Sequence, residues 1–159
     1  ADAVIREALG HNIYGIDQDT LASATGQLLQ ERGLMLGVAE SCTGGLIASV
    51  ITEVPGSSRW FKGGAVVYSN DLKEQLLGID SALLDRYGAV SAETAQAMAS
   101  QAAQRLGCDI TVSATGIAGP EGGTAEKPVG TVYLGLWYQN TVVDRLCRFN
   151  GSRRQTRSD

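Results

Sequence analysis

Long hydrophobic runs, histidine and paired cysteines are what this sequence has least of. No uninterrupted apolar stretch approaches the ~20 residues of a transmembrane helix, and the first residues show no signal-peptide pattern. The chain has one histidine, and its three cysteines, Cys42, Cys108 and Cys147, have no CxxC spacing. We therefore expect a soluble, cytoplasmic protein with no membrane partner, no disulfide framework and no zinc site.

Positive charge is also scarce. Thirteen Lys and Arg stand against 17 Asp and Glu, which gives a net charge of -4 and argues against direct binding of nucleic acid through many phosphate contacts. Five of the cationic residues fall near the end of the chain: Arg145, Arg148, Arg153, Arg154 and Arg157. Such a cluster either holds one phosphate or merely solvates a helix face.

What the sequence does contain suits one domain with an aliphatic core. Its 159 residues are 43% hydrophobic but only 6% aromatic, and 20 of them are glycine. A chain of this length can bury roughly 70% of its unfolded surface. Residues 1–19, which include His11, are the least regular part, so we interpret them as a linker or N-terminal arm and place the domain at 20–159.

Hydrophobic periodicity and turn residues predict alternating helices and strands followed by a hairpin. Asp17 or Asp19 is the expected cap of the first helix, which should stop at Gly33. The resulting fold class is α/β, a three-layer α/β/α sandwich with a mixed sheet. The predicted strands are 34–39, 63–68, 109–114, 131–138 and 141–149, and the later helices are 46–53, 70–77, 81–87 and 91–107.

Polar residues follow three of the predicted strands, after Ala39, Tyr68 and Ala114. Ligands in α/β folds collect at the carboxyl ends of strands, so the three junctions can form one pocket. The first junction, 40–45, is the best candidate for a reactive centre because it places a serine and a thiol before a helix. The third opens a loop over 115–130 that is too long and glycine-rich for a simple connector.

The chemistry of this pocket is limited because no histidine falls within the predicted domain. A Ser-His-Asp triad needs an imidazole base, and His11 lies in the predicted arm. The remaining route to a serine nucleophile is a desolvated lysine or a tyrosine as base, and the second junction supplies Tyr68 and Lys73.

Each candidate also has a purely structural interpretation. Ser41 is a good helix cap, and Cys42 is either the nucleophile or a small buried thiol. Lys73 and Tyr68 could be surface residues. Thr115 could belong to a turn, and Glu40 could form only a structural hydrogen bond. The glycine-rich loops match neither GxxxxGK[ST] nor GxGxxG.

Six segments, in order along the chain, resemble the CinA C-terminal domain family. The resemblance covers most of the chain from Gly33 to Gly151 and rests on AESCTGG at 39–45, VPGSSRWF at 54–61, VYSNDLK at 67–73, GAVS at 88–91, ATGIAGP at 114–120 and EKPVGTV at 126–132. It implies nicotinamide-nucleotide amidohydrolase activity, in which nicotinamide mononucleotide is hydrolysed to nicotinic acid mononucleotide and ammonia during pyridine nucleotide recycling.

Carried onto this sequence, the resemblance implies that Ser41 is the nucleophile, with Lys73 as base and Tyr68 as proton relay. No cofactor and no metal are implied. Backbone N–H groups of 43–45 or 116–119 would hold the oxyanion, and helix N-termini with Arg153 or Arg154 would hold the phosphate. The predicted substrate-binding residues are Glu40, Cys42, Thr43, Gly44, Gly45, Thr115, Gly116, Gly119, Arg153 and Arg154.

The resemblance also has implications for the regions that flank this domain and for its assembly. Residues 1–19 are similar to the junction that precedes this domain in two-domain CinA proteins, so an N-terminal CinA domain is a possible covalent partner. The family usually continues with a C-terminal helix, so the chain is expected to be truncated there. A homo-oligomer, dimer or trimer, is expected from the apolar hairpin. The alternative function is a non-catalytic nucleotide-binding or regulatory domain of a competence/damage-inducible protein.

Overall fold

The protein is described by a computed structural model that covers residues 7–8, 10 and 13–158. His11 lies outside these residues. Residues 13–20 contain no helix or strand, and the Tyr14 and Ile16 side chains in them are exposed. In the described part of the chain, no helix is both long and apolar enough to cross a lipid bilayer.

Five strands form one mixed sheet, as expected. Its order is β2-β1-β3-β4-β5; β1 pairs in parallel with β2 and β3, whereas β4 pairs antiparallel with β3 and β5. Gln139 and Asn140, both with positive φ, make the two-residue turn of the β4–β5 hairpin. The strands are β1 Leu36–Glu40, β2 Phe61–Val66, β3 Ile110–Gly116, β4 Thr131–Tyr138 and β5 Thr141–Arg148.

The helices begin and end close to the predicted residues, but the first helix has a different cap from the one predicted. Thr20, rather than Asp17 or Asp19, caps the first helix, because its hydroxyl accepts the Ser23 N–H while the Ser23 hydroxyl accepts the Thr20 N–H. The helices are α1 Leu21–Glu31, α2 Leu46–Thr52, α3 Asn70–Leu72, α4 Ser81–Tyr87, α5 Ala92–Leu106 and α6 Arg153–Ser158; a π-helical turn, Lys73–Leu77, extends α3.

Helices cover both faces of the sheet, which confirms the sandwich. Val38 and Ala39 are neighbours on β1 and point to opposite faces. Val38 packs in a cluster with Leu29 of α1 and Ile51 of α2, and Ala39 packs in a second cluster with Met98 of α5. The two clusters are the two halves of the core.

Helix α5 packs directly against the sheet through small residues. The hydroxyls of Thr111 and Ser113 on β3 donate to the carbonyls of Ala99 and Ala95 on α5, each at 2.6 Å. A side chain at Gly135 of β4 would collide with the Ala95 carbonyl. This packing fixes β3, and therefore the strand end that borders the predicted pocket.

The parallel strands β1, β2 and β3 bring their carboxyl ends to one edge of the sheet. Glu40 is the last residue of β1 and pairs with Val66 on β2 and Ala114 on β3. Thr115 and Gly116, predicted to open the long loop, are the end of β3. The three polar junctions therefore meet.

Candidate active site

Glu40, and not Ser41, caps helix α2. The Glu40 carboxylate accepts the N–H groups of Gly45 at 2.8 Å, Ile47 at 3.1 Å and Ala48 at 2.8 Å, and its side chain is buried. A carboxylate at a helix N-terminus satisfies N–H groups that have no partner within the helix. The structural interpretation of Ser41 as the helix cap is thus wrong, and Glu40 has a structural role.

The Ser41 side chain does not cap α2 and faces Lys73 instead. The Lys73 ammonium nitrogen Nζ lies 3.1 Å from Ser41 Oγ, although 32 positions separate the two residues. The Ser41 N–H is held by the Ala114 carbonyl at the end of β3. Residues 41–45, which contain the predicted nucleophile and are named the nucleophile loop for that reason, therefore present a serine hydroxyl directly to a lysine.

Lys73 is a buried lysine, as the prediction of a lysine base in place of a histidine requires. Its side chain is 1% exposed, and its Nζ also donates to the carbonyls of Val67 at 3.0 Å and Tyr68 at 3.4 Å. Burial lowers the pKa of Lys73, and the nearby Cys42 thiol opposes this only in part. A neutral amine would have two N–H groups, enough for the two carbonyls, and a lone pair left to accept the Ser41 hydroxyl proton.

The π-helical turn places Lys73 in this position. Ser69 caps α3 through its hydroxyl, and Lys73 is the first residue of the wider turn that ends at Gly78. Such turns are frequent at functional sites because they redirect a side chain without ending the helix. Sequence periodicity predicted the helix here but not the turn.

Cys42 is a poor nucleophile in this arrangement. Its thiol is buried, and burial raises the pKa of Cys42 more than the adjacent N–H groups of Cys42 and Thr43 lower it. A thiol with a raised pKa is mostly protonated at neutral pH and reacts slowly. Of the two neighbouring candidates, the geometry favours Ser41.

Tyr68 accepts a hydrogen bond from Lys73 at its main-chain carbonyl and one from Arg153 at its side-chain hydroxyl. The Tyr68 hydroxyl accepts from Arg153 Nη2 at 2.9 Å, and Arg153 Nη1 donates to the Gly119 carbonyl at 2.8 Å. In the part of the chain that the structure describes, the Tyr68 hydroxyl bonds neither Ser41 nor Lys73, so the predicted relay role has no supporting contact.

A second arginine of α6 reaches the nucleophile loop. Arg157 Nη2 donates to the Thr43 carbonyl at 2.8 Å. Gly44 adopts φ +63°, and its N–H bonds the Ser41 carbonyl. The N–H groups of Gly44 and Gly45 thus already have acceptors, the Ser41 carbonyl and the Glu40 carboxylate.

The long loop is fixed to the body of the protein by residues with structural roles. Thr115 Oγ1 donates to the Ala89 carbonyl at 2.6 Å, and Gly116 packs so tightly against β4 that a side chain would meet the Thr131 carbonyl. Lys127 Nζ donates to the carbonyls of Tyr87 and Val90. Only Gly119, through its carbonyl on Arg153, joins the site by a hydrogen bond.

Two arginines that look alike in the sequence differ in the structure. Arg153 joins the site, whereas among the residues that the structure describes no hydrogen bond links the exposed Arg154 to it. Sequence reasoning missed Arg157 as a site residue, and the spacing of four residues between Arg153 and Arg157 on one helix was the available signal. Across the described residues, no group of three or more His, Cys, Asp or Glu side chains is arranged to hold a metal ion.

A family model and protein relatives match nearly the whole chain. The CinA C-terminal domain model matches residues 18–159. A CinA-like protein of Desulfotalea psychrophila is 50% identical over 153 residues, which are 96% of this chain and 37% of that protein. A CinA-like protein of Thermosynechococcus vestitus gives the same 50% identity and coverage. The chain thus spans little more than a third of the length of these curated relatives.

Solved structures share the fold. The competence/damage inducible protein CihA of Agrobacterium tumefaciens superposes with a TM-score of 0.85 at 42% identity, covering 92% of this chain and 90% of that one. A competence-damaged protein (CinA) superfamily protein of Escherichia coli gives a TM-score of 0.84 at 31% identity, with 94% and 90% covered. The mixed sheet with helices on both faces is therefore the fold of these proteins too.

Proposed function

The chain belongs to the CinA C-terminal domain family, and we propose that it is a serine amidohydrolase that converts nicotinamide mononucleotide to nicotinic acid mononucleotide and ammonia. The observation that carries the proposal is the 3.1 Å contact between Lys73 Nζ and Ser41 Oγ at a buried lysine. Among the described residues, Lys73 has no carboxylate partner that would keep it charged.

The proposed reaction has two steps. Neutral Lys73 takes the proton of the Ser41 hydroxyl while Oγ attacks the carboxamide carbon. The carbon–nitrogen bond then breaks, the proton passes from Lys73 to the leaving nitrogen, and ammonia departs. A water molecule then gives a proton to the same lysine and attacks the ester on Ser41. The ester bond breaks, the proton passes from Lys73 to Ser41 Oγ, and the product acid leaves as the carboxylate after losing its proton to solvent.

The developing oxyanion needs hydrogen-bond donors that are not already used. The N–H groups of Ala118 and Gly119 qualify, since within the described residues neither donates to another group, whereas those of Cys42 and Thr43 are directed at the Cys42 thiol. Each such donor is worth about 10²–10³-fold in rate when it is aimed at the oxyanion.

Arg153 is the proposed phosphate ligand. Its guanidinium is bonded to a phenol and a carbonyl, and in the described part of the chain it has no carboxylate partner. A mononucleotide phosphate would supply the missing negative charge, and a guanidinium can bind it through two parallel hydrogen bonds.

Release of ammonia from nicotinamide mononucleotide tests the function. We expect the chain to produce ammonia and nicotinic acid mononucleotide in equal amounts, and Ser41→Ala to abolish both while the variant keeps its unfolding temperature. Cys42→Ala is the matched control and should retain activity. If Cys42→Ala is inactive and Ser41→Ala active, the nucleophile is Cys42.

A folded chain that binds the nucleotide without releasing ammonia would replace this proposal with the alternative, a nucleotide-binding or regulatory module. The relatives are much longer than this chain, so a further CinA domain is a proposed covalent partner. We also propose a homo-oligomer and a cytoplasmic location, where pyridine nucleotides are recycled.

A further inference from the structure

We propose that Arg157 is a positioning residue: its contact with the Thr43 carbonyl holds the nucleophile loop in the conformation in which Ser41 faces Lys73. The activity assay for this inference depends on the proposed function. The reactivity of Ser41 itself does not, and it can be measured without the nucleotide.

The Thr43–Gly44 peptide group is held from both sides. Its carbonyl accepts from Arg157 Nη2 at 2.8 Å, and its N–H donates to the Ser41 carbonyl at 3.1 Å. Loss of the arginine would remove one of these two contacts. The other contact ends on Ser41 itself, so a change in the peptide's orientation is transmitted directly to the nucleophile.

This peptide needs external support because two glycines follow it. Gly44 has φ +63° and Gly45 φ +97°, and glycine crosses between positive and negative φ at little cost. The Gly45 N–H is fixed by Glu40, but the Thr43 carbonyl has Arg157 as its partner. Without the guanidinium, rotation of the Thr43–Gly44 peptide would break its bond to the Ser41 carbonyl.

The packing around Arg157 indicates a contact that is built in. A Cβ at Gly44 would lie 3.2 Å from Arg157 Nη2, so the glycine lets the guanidinium approach the loop. Within the described residues, Arg157 Nε is buried without a hydrogen-bond partner, and the residue lines an apolar cavity of about 420 Å³ between α1, α2 and the sheet. Burying an unpartnered N–H costs free energy. The hydrogen bond from Arg157 to Thr43 therefore forms although the burial of Nε is unfavourable.

Helix α6 is anchored well enough to transmit this constraint. Thr156 is 4% exposed, and Arg153, one turn before Arg157, bonds both Gly119 and Tyr68. The two arginines connect all three loops of the site to one short helix. Arg153 reaches toward the substrate, and Arg157 acts only through the nucleophile loop.

The test compares Arg157→Ala and Arg157→Lys with Arg145→Ala, an exposed arginine on β5. The first readout is the rate at which a small fluorophosphonate labels Ser41, and the second is the kcat and KM of ammonia release from nicotinamide mononucleotide. We expect Arg157→Ala to lower the labelling rate and kcat together by roughly 10- to 100-fold, because a displaced catalytic group costs that much.

The remaining results separate positioning from simple structural support. KM should stay within about twofold, since Arg157 touches no substrate, and added guanidinium ion at a non-denaturing concentration should restore labelling in Arg157→Ala but not change Arg145→Ala. An unchanged labelling rate in folded Arg157→Ala overturns the inference, as does a loss that guanidinium does not restore. If the wild type labels but releases no ammonia, the proposed function fails and the inference on Arg157 stands.

Discussion

Burial of Lys73 favours the neutral amine, which is the protonation state that a general base requires. Desolvation lowers the pKa of its amine, and the neutral amine is the form that can accept the Ser41 proton. A histidine would provide a base near neutral pH without help, whereas a lysine must be almost completely removed from water. In the proposed mechanism, the 1% exposure of Lys73 serves catalysis as well as packing.

The pH dependence of kcat/KM should report this amine. Below the lowered pKa of Lys73 the ammonium form cannot act as a base, so kcat/KM should rise with pH through that pKa. Lys73→Arg keeps the side chain charged and should lower kcat/KM by about 10²–10⁴-fold across the profile. Lys62→Arg, on an exposed residue of β2, is the control. A wild-type kcat/KM that shows no rise with pH at any pH at which the protein remains folded would rule out Lys73 as the base.

The proposed contact between Arg153 and the substrate phosphate can be tested separately. Arg153→Ala should raise KM for nicotinamide mononucleotide by roughly 10- to 100-fold, the cost of losing hydrogen bonds to a charged group. Hydrolysis of the corresponding riboside, which lacks the phosphate, should change little. Steady-state kinetics on both substrates make the comparison, and equal losses on the two would show that Arg153 acts through Tyr68 instead.

At the scale of the element, α2 depends on a carboxylate that precedes it by six residues. Glu40 lies on β1, yet it accepts N–H groups from the first turn of α2 and so joins the strand to the helix across the nucleophile loop. The loop is consequently fixed at both ends before any substrate binds.

Glu40→Gln should destabilise the protein by about 1–3 kcal/mol, because an amide removes the charge and turns an NH₂ group toward N–H donors. Glu53→Gln, at the opposite end of the same helix and exposed, is the matched control and should have little effect. Urea unfolding of both variants measures the difference. Equal stability of Glu40→Gln and wild type would contradict the capping role.

Local rules predicted most of the elements. Ser91 and Gly107 were placed correctly at the ends of α5, and the β4–β5 hairpin was placed correctly, because caps and two-residue turns depend on neighbouring residues. The cap of α2 was missed, since serine beside a helix is the usual cap while Glu40 acts from the preceding strand. The π-helical turn at Lys73 has no short sequence signal.

At the scale of the whole molecule, the site is made by contacts between distant parts of the chain. Ser41 and Lys73 are 32 positions apart, Tyr68 and Arg153 are 85 apart, and Thr43 and Arg157 are 114 apart. The first pairing could be predicted because both residues follow parallel strands of one sheet. The role of Arg157 could not, because it depends on where α6 lies after the hairpin.

The most direct test of the account is the mass of the protein during turnover. Wild-type chain mixed with nicotinamide mononucleotide and quenched rapidly in acid should carry an adduct equal to the substrate minus ammonia, and peptide mapping should place it on Ser41. The adduct should be absent from Ser41→Ala. Ammonia release from wild type with an adduct on Cys42 would contradict the assignment of Ser41 and Lys73 as the catalytic pair.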